Sequence, residues 1–114
     1  MAEGLNTTGI EVGAAAIAAD IDHISLHTDT PDGTGSNLSS AGKVSVTCTS
    51  SGGVVTIPET DFTGGETSGD VKAVGYWHGT STWRGYNLIS SGDLAFNEAG
   101  EYTLNESTIT GSAS

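Results

Sequence analysis

The chain is short of most residue classes that would announce a chemistry. Its 114 residues include one cysteine, two prolines and three basic side chains against 14 acidic ones, for a formal net charge of -11. With Cys48 alone, an intrachain disulfide is excluded, and with it a secreted disulfide scaffold. So few Lys and Arg cannot neutralise a row of phosphates, so neither nucleic acid nor an anionic membrane face is expected as a partner. No apolar run approaches the roughly 20 residues that a membrane-crossing helix needs. The N-terminal stretch has no basic segment, and Glu3, Glu11 and Asp20 bracket its alanine-rich part. A signal peptide is therefore not expected, and synthesis in a cytosol is. Catalytic signatures are missing too. There is no HExxH or CxxC spacing and no G-x-S-x-G elbow, and Gly33-Thr34-Gly35 lacks the strand–helix context of a phosphate loop. The expectation is a protein with no enzyme activity, cofactor or metal.

What is abundant points to β-structure. Seventeen glycines and many Ser and Thr, with only 15% charged residues, fit a turn-rich chain, and alternating apolar runs argue against disorder. At 11.5 kDa one domain spanning 1–114 is expected. After a polar lead over 1–8, Thr8 and Glu11 form a capping-box pattern for a helix of about 9–20. Ile10, Ala14, Ile17 and Ile21 recur on one stripe of that helix, whose alanines keep it slim enough to lie close against a sheet. His23 to Thr28 alternates as a strand, with Ile24 and Leu26 on one face and His23, Ser25 and His27 on the other. A long loop over Asp29 to Gly42 precedes a second strand from Lys43 to Thr49, in which Cys48 reads as a small buried hydrophobe. Ser50 to Gly53 turns the chain into Val54 to Ile57, which Pro58 ends. An acidic loop from Glu59 to Asp70 follows. Beyond a turn at Ser91-Gly92 and a short segment from Asp93 to Phe96, Glu101 to Thr110 reads as a last strand, with a tail over 111–114. The fold class expected is mainly β, an antiparallel β-sandwich or small barrel carrying one short N-terminal helix.

The stretch from Val71 to Ser90 carries both tryptophans and two of the three tyrosines, and it reads as a β-hairpin. Folding about Thr80-Ser81 places Ala73 opposite Leu88, Gly75 opposite Tyr86 and Tyr76 opposite Gly85. It also places Trp77 opposite Arg84, a pair suited to cation–π stacking. In that register one face carries Val71, Ala73, Trp77, Tyr86 and Leu88, and the other Val74, Tyr76, Trp83 and Ile89. Both faces are apolar, so a second layer is expected to cover the second, either the chain's own helix or another subunit. Val74, Tyr76, Trp83 and Ile89 are the expected subunit interface. The same aromatics also fit a sugar-stacking platform, which makes a carbohydrate-binding module an alternative. Asp20, Asp22, His23, His27, Asp29 and Asp32 offer metal-ligand types without metal-ligand spacing, and they read as polar strand-face and turn residues.

Taken in order, the Ala-rich helix, HISLHTDTPDGTGSN, the valine-rich hairpin, VKAVGYWHGTSTWRGYNLIS and a closing strand resemble a family of small bacteriophage virion structural proteins. The residues that carry the likeness are Ile24 to Thr28 with Thr34-Gly35, and Val74 to Trp77 with Gly85. The likeness runs from Asn6 to about Thr110, and Thr30-Pro31-Asp32-Gly33 departs from the usual loop. The resemblance implies a virion surface protein made in a bacterial host, acting by adhesion. The form expected is a capsid decoration protein, a homotrimer bound to the major capsid protein on the outside of the head. A tail or tail-fibre protein is the alternative.

Overall fold

A computed structural model describes residues 7–89 and 94–110. The expectations for residues 1–6, for the turn at Ser91-Gly92 and for the tail lie outside the described residues. The chain runs α1 (Thr7–Asp20), β1 (His23–His27), β2 (Leu38–Ser45), β3 (Thr49–Ser51), β4 (Val54–Ile57) and β5 (Thr60–Phe62). It continues through β6 (Ala73–His78), β7 (Thr82–Leu88), β8 (Tyr102–Leu104) and β9 (Ser107–Thr110). The fold is mainly β, and every strand pairing is antiparallel. A four-stranded sheet has the order β2-β1-β6-β7, a three-stranded sheet the order β3-β4-β9, and β5 pairs with β8.

The core forms where the alternation of β1 and β6 turns its apolar side toward the smaller sheets. Ile24, Leu26, Val74 and Tyr76 pack with Ile57, Phe62, Tyr102 and Leu104, and Val71 and Phe96 complete the layer. A second, smaller cluster seats the helix on β3 and β4 through Ala14, Ala18 and Val55. The alanines permit this close approach, as expected, but the buried stripe is Ala14, Ala18 and Ile21, and Ile17 is 41% exposed. Ile17 lies one step around the helix from that stripe, on its solvent flank. The helix starts at Thr7, ahead of the proposed cap at Thr8. The side chains of residues 7–12 lie outside the described residues.

Two further expectations are corrected. The single closing strand is two, β8 and β9, which join different sheets. The long loop ends at Leu38, so its second part is already strand. Cys48 is half-buried between the helix cluster and the main core, and burial pushes its thiol pKa up.

The hairpin register is the largest correction. Ala73–Leu88, Gly75–Tyr86 and Tyr76–Gly85 pair as the sequence suggests, but Trp77 then pairs with Trp83 and His78 with Thr82. A three-residue turn, Gly79 to Ser81, replaces the even-numbered one, and Arg84 is the extra residue of a β-bulge. Gly85, at φ 138°, supplies the backbone conformation beside it that side-chain-bearing residues rarely adopt. Because successive side chains alternate faces, this one-residue slip moves Trp83 to the opposite side of the sheet from Val74 and Tyr76.

Candidate functional site

On the face away from the core, the four-stranded sheet carries polar groups that are buried none the less. Ser25 and His27 are both 0% exposed. His27 Nδ1 lies 2.7 Å from the Ser36 carbonyl oxygen, and its Nε2 lies 2.7 Å from Ser25 Oγ. Trp77 Nε1 lies 2.8 Å from the same Oγ. A carbonyl only accepts and an indole N–H only donates, which for a neutral imidazole fixes every proton. His27 donates from Nδ1 to Ser36, Ser25 donates to His27 Nε2, and Trp77 donates to Ser25. The neutral imidazole is thus satisfied at both nitrogens. Burial pushes its pKa below the ordinary value of 6.5, against the Ser36 hydrogen bond, which raises it.

Three features close this network off. Trp83 lies edge-on to both His27, at 5.5 Å between ring centroids, and Trp77, at 5.0 Å. Gly75 leaves the room that Trp83 fills, since a Cβ there would come within 2.6 Å of the Trp83 ring and 2.5 Å of His27 Nε2. The loop from Thr28 to Asn37 then folds over the rings, with Gly35 set so close that a Cβ would meet Trp83 at 2.7 Å and Trp77 at 2.8 Å. Gly35 has φ 77°, which the same turn requires. The loop braces itself: Asp32 accepts from the Thr34 hydroxyl at 2.6 Å and amide at 2.8 Å, and Thr28 N–H donates to Asn37 O at 3.0 Å. Those Thr34 bonds hold the Asp32 carboxyl below its usual pKa. The serine–histidine pair has the spacing of a nucleophile and its base, and both side chains are fully buried beneath the loop.

The four residues expected at a subunit interface therefore divide. Val74 and Tyr76, 4% and 5% exposed, are filled by the chain's own core, and Ile89 packs against that core half-buried. Their physical partner is the small β5–β8 layer, which the sequence does not reveal as a sheet. Trp83 is on the other face, wedged under the loop and stacked at 6.4 Å on Tyr86. The cover that a two-faced hairpin demands is supplied by the chain's own loop. The expected Trp77–Arg84 stacking is replaced as well: Lys43 Nζ sits 3.9 Å from the Trp77 ring centroid. Arg84, turned outward by the bulge, instead makes a two-pronged contact with Asp20, at 2.7 and 3.0 Å. That contact holds the Asp20 carboxyl below the usual range.

The metal-ligand types do not converge, and among the described residues no three His, Cys, Asp or Glu side chains are grouped to hold an ion. Asp22 receives the Gly79 N–H at 2.6 Å and contacts His23 Nδ1 at 2.8 Å, so it ties the start of β1 to the β6–β7 turn. Those two hydrogen bonds, His23 first, hold its pKa down. No helix among the described residues is long and apolar enough to cross a membrane.

The open apolar surface is elsewhere. Strand β7 is an edge of its sheet, with Tyr86 39% and Leu88 60% exposed. Between it and α1 runs a groove of about 370 Å³, lined by Ile17, Ile21, Tyr76, Tyr86 and Ile109 with the Asp20–Arg84 pair at its side. By contrast, the edge at β2 is occupied, because Ser40 N–H donates to Glu66 at 3.0 Å and its hydroxyl to Gly64 O at 2.8 Å. The sequence contained one signal for the open side, the placement of Leu88 on an outer strand opposite a residue as small as Ala73. A scan against protein-family models finds no match to this chain, and searches of curated proteins and of solved structures find none either.

Proposed function

We propose that the chain is a structural protein of a bacteriophage particle, a decoration protein that binds the outside of the head shell and stabilises it by adhesion alone. The observation that carries this reading is the edge of β7, which no strand among the described residues pairs, with its apolar groove, on a chain whose core and whose reactive-looking serine and histidine are otherwise complete in themselves. A sheet edge with exposed Tyr86 and Leu88 is suited to another chain, through main-chain hydrogen bonds and apolar burial together. The sequence likeness to small virion proteins supports the partner, the major capsid protein, and a homotrimer as the working unit. The net charge of -11 suits a protein present in many copies on one surface, since like charges keep free oligomers apart. Neither a cofactor nor a reaction enters this reading.

Labelling intact particles with an antibody to the chain tests it. Signal over the whole head is the expected result; signal confined to the tail replaces the head reading with a tail protein. Absence from purified particles, together with a monomer by light scattering, overturns both. The aromatic surface gives a sugar-binding module less support, because Trp77 is buried beneath Lys43 and Gly35 and Trp83 is part-buried against it, which leaves Tyr86 as the open ring.

A further inference from the structure

The geometry points to His27 as an acid-released latch for the loop from Thr28 to Asn37: the loop is fastened by a neutral imidazole and opens when that ring takes up a proton. This holds whatever the particle or partner, because it rests on the hydrogen-bond chain alone. Trp77 donates to Ser25, Ser25 to His27 and His27 to Ser36, over distances of 2.7 to 2.8 Å. In the closed loop one proton more has no place. Protonation turns Nε2 from acceptor to donor, so the Ser25 hydroxyl proton must leave it and find a new acceptor in a pocket with no exposure.

The surrounding charges do not help the cation. On β2 the charge felt at the ring is Lys43, of like sign. On its own strand β1 the other titratable group of that face is His23, which is engaged with Asp22. Strand β6 contributes Ala73, Gly75 and Trp77, and β7 contributes Trp83 and Tyr86, with no carboxylate. In the loop, Asp32 is exposed and its carboxylate accepts from Thr34 and Ser36, and Asp29 is exposed and receives the Thr30 amide. The charged imidazolium is solvated only when the loop lifts.

The sign follows from linkage. The ring's pKa is lower in the closed chain than its ordinary 6.5, so the open form binds more protons. Closure is complete above about pH 6.5 and weakens as the pH falls through the window between 6.5 and the closed-state value. With one proton taken up on opening, the opening constant rises by up to about 30-fold between pH 7.5 and pH 5.0.

The test uses the whole chain with His23→Gln and His78→Gln, which leaves His27 as its one histidine. Nitrogen-15 spectra of the ring at pH 7.5 are expected to show the neutral Nδ1–H tautomer. Hydrogen exchange, corrected for intrinsic rates, is expected to show protection of the Thr28 and Gly35 amides falling toward the 30-fold limit by pH 5.0. The amides between β1 and β6 are expected to keep theirs. His27→Gln, which cannot take up the proton, is expected to make the loop amides indifferent to pH. An Nε2–H tautomer, unchanged loop protection at pH 5.0, or a loss shared equally by loop and sheet would each overturn the latch. The tautomer and the wild-type His27 exchange data decide the matter even if His27→Gln does not fold.

Discussion

The two faces of the four-stranded sheet are equally buried at their centres but are built on different principles. On one, Ile24, Leu26, Val74 and Tyr76 meet other apolar side chains, and nothing about the contact depends on direction. On the other, Ser25, His27 and Trp77 are buried in an ordered chain of donors and acceptors, held under a loop and a tryptophan. A strand as short as HISLH can serve both a hydrophobic core and a polar one, because adjacent residues face opposite ways. Apolar contact on the first face sets stability; hydrogen-bond direction on the second sets which loop conformation is allowed.

Breaking the first face is expected to cost most. Leu26→Ala, at a fully buried position, should destabilise the chain by about 2–5 kcal/mol in denaturant titration. It should leave the loop's response to acid in place. Gly75→Ala attacks the second face by volume, since the new methyl would meet His27, Trp83 and Ser25 at 2.5 to 2.8 Å. A loss of about 1–3 kcal/mol is expected, with a shift of tryptophan fluorescence that Leu26→Ala does not give. Ser25→Ala attacks it by chemistry alone, leaving the Trp77 N–H and His27 Nε2 without their partner. It should cost about 1–3 kcal/mol and raise the apparent pKa of His27, read by nuclear magnetic resonance, because Nε2 no longer has a proton donated to it. Leu88→Lys touches neither interior: its stability change should stay within about 0.5 kcal/mol, while self-association by light scattering is lost. Self-association unaffected by Leu88→Lys would separate the β7 edge from assembly.

Much of the first face could be read from the sequence, and the reason is local. Ile24 and Leu26 alternate with polar neighbours, and the aromatic–glycine pair Tyr76–Gly85 follows from counting residues across a turn. The second face was hidden by two things that counting does not reveal. An even-numbered turn and a three-residue turn plus a bulge differ by one position, which is enough to send Trp83 to the other side. The loop after β1 has the Asp, Pro and Gly of any surface turn, and only the distant positions of Trp77 and Trp83 show what it covers. His23 and His27 share one face, as their spacing implies, but His27 alone is fully buried, in part by residues about 50 positions away. The Ile17–Leu88 side is not legible in the sequence for a related reason: whether an apolar side chain is core or surface depends on which edge strand ends the sheet, a property of topology and not of spacing.

The room around Trp83 has a consequence for how this sequence can change. Gly35 and Gly75 both leave room for the Trp83 indole, although at 75 a Cβ would also meet His27 Nε2 at 2.5 Å and Ser25 Oγ at 2.8 Å. The three positions are therefore coupled: a smaller ring at 83 relieves the part of the clash at 75 that the indole makes. Gly75→Ala should cost less beside Trp83→Leu than alone, a positive coupling that a double-mutant cycle measures directly. At 35 the same relief is limited, because φ 77° still penalises a side chain after the space is free. Drift in this protein should thus pair 75 with 83 and leave 35 fixed.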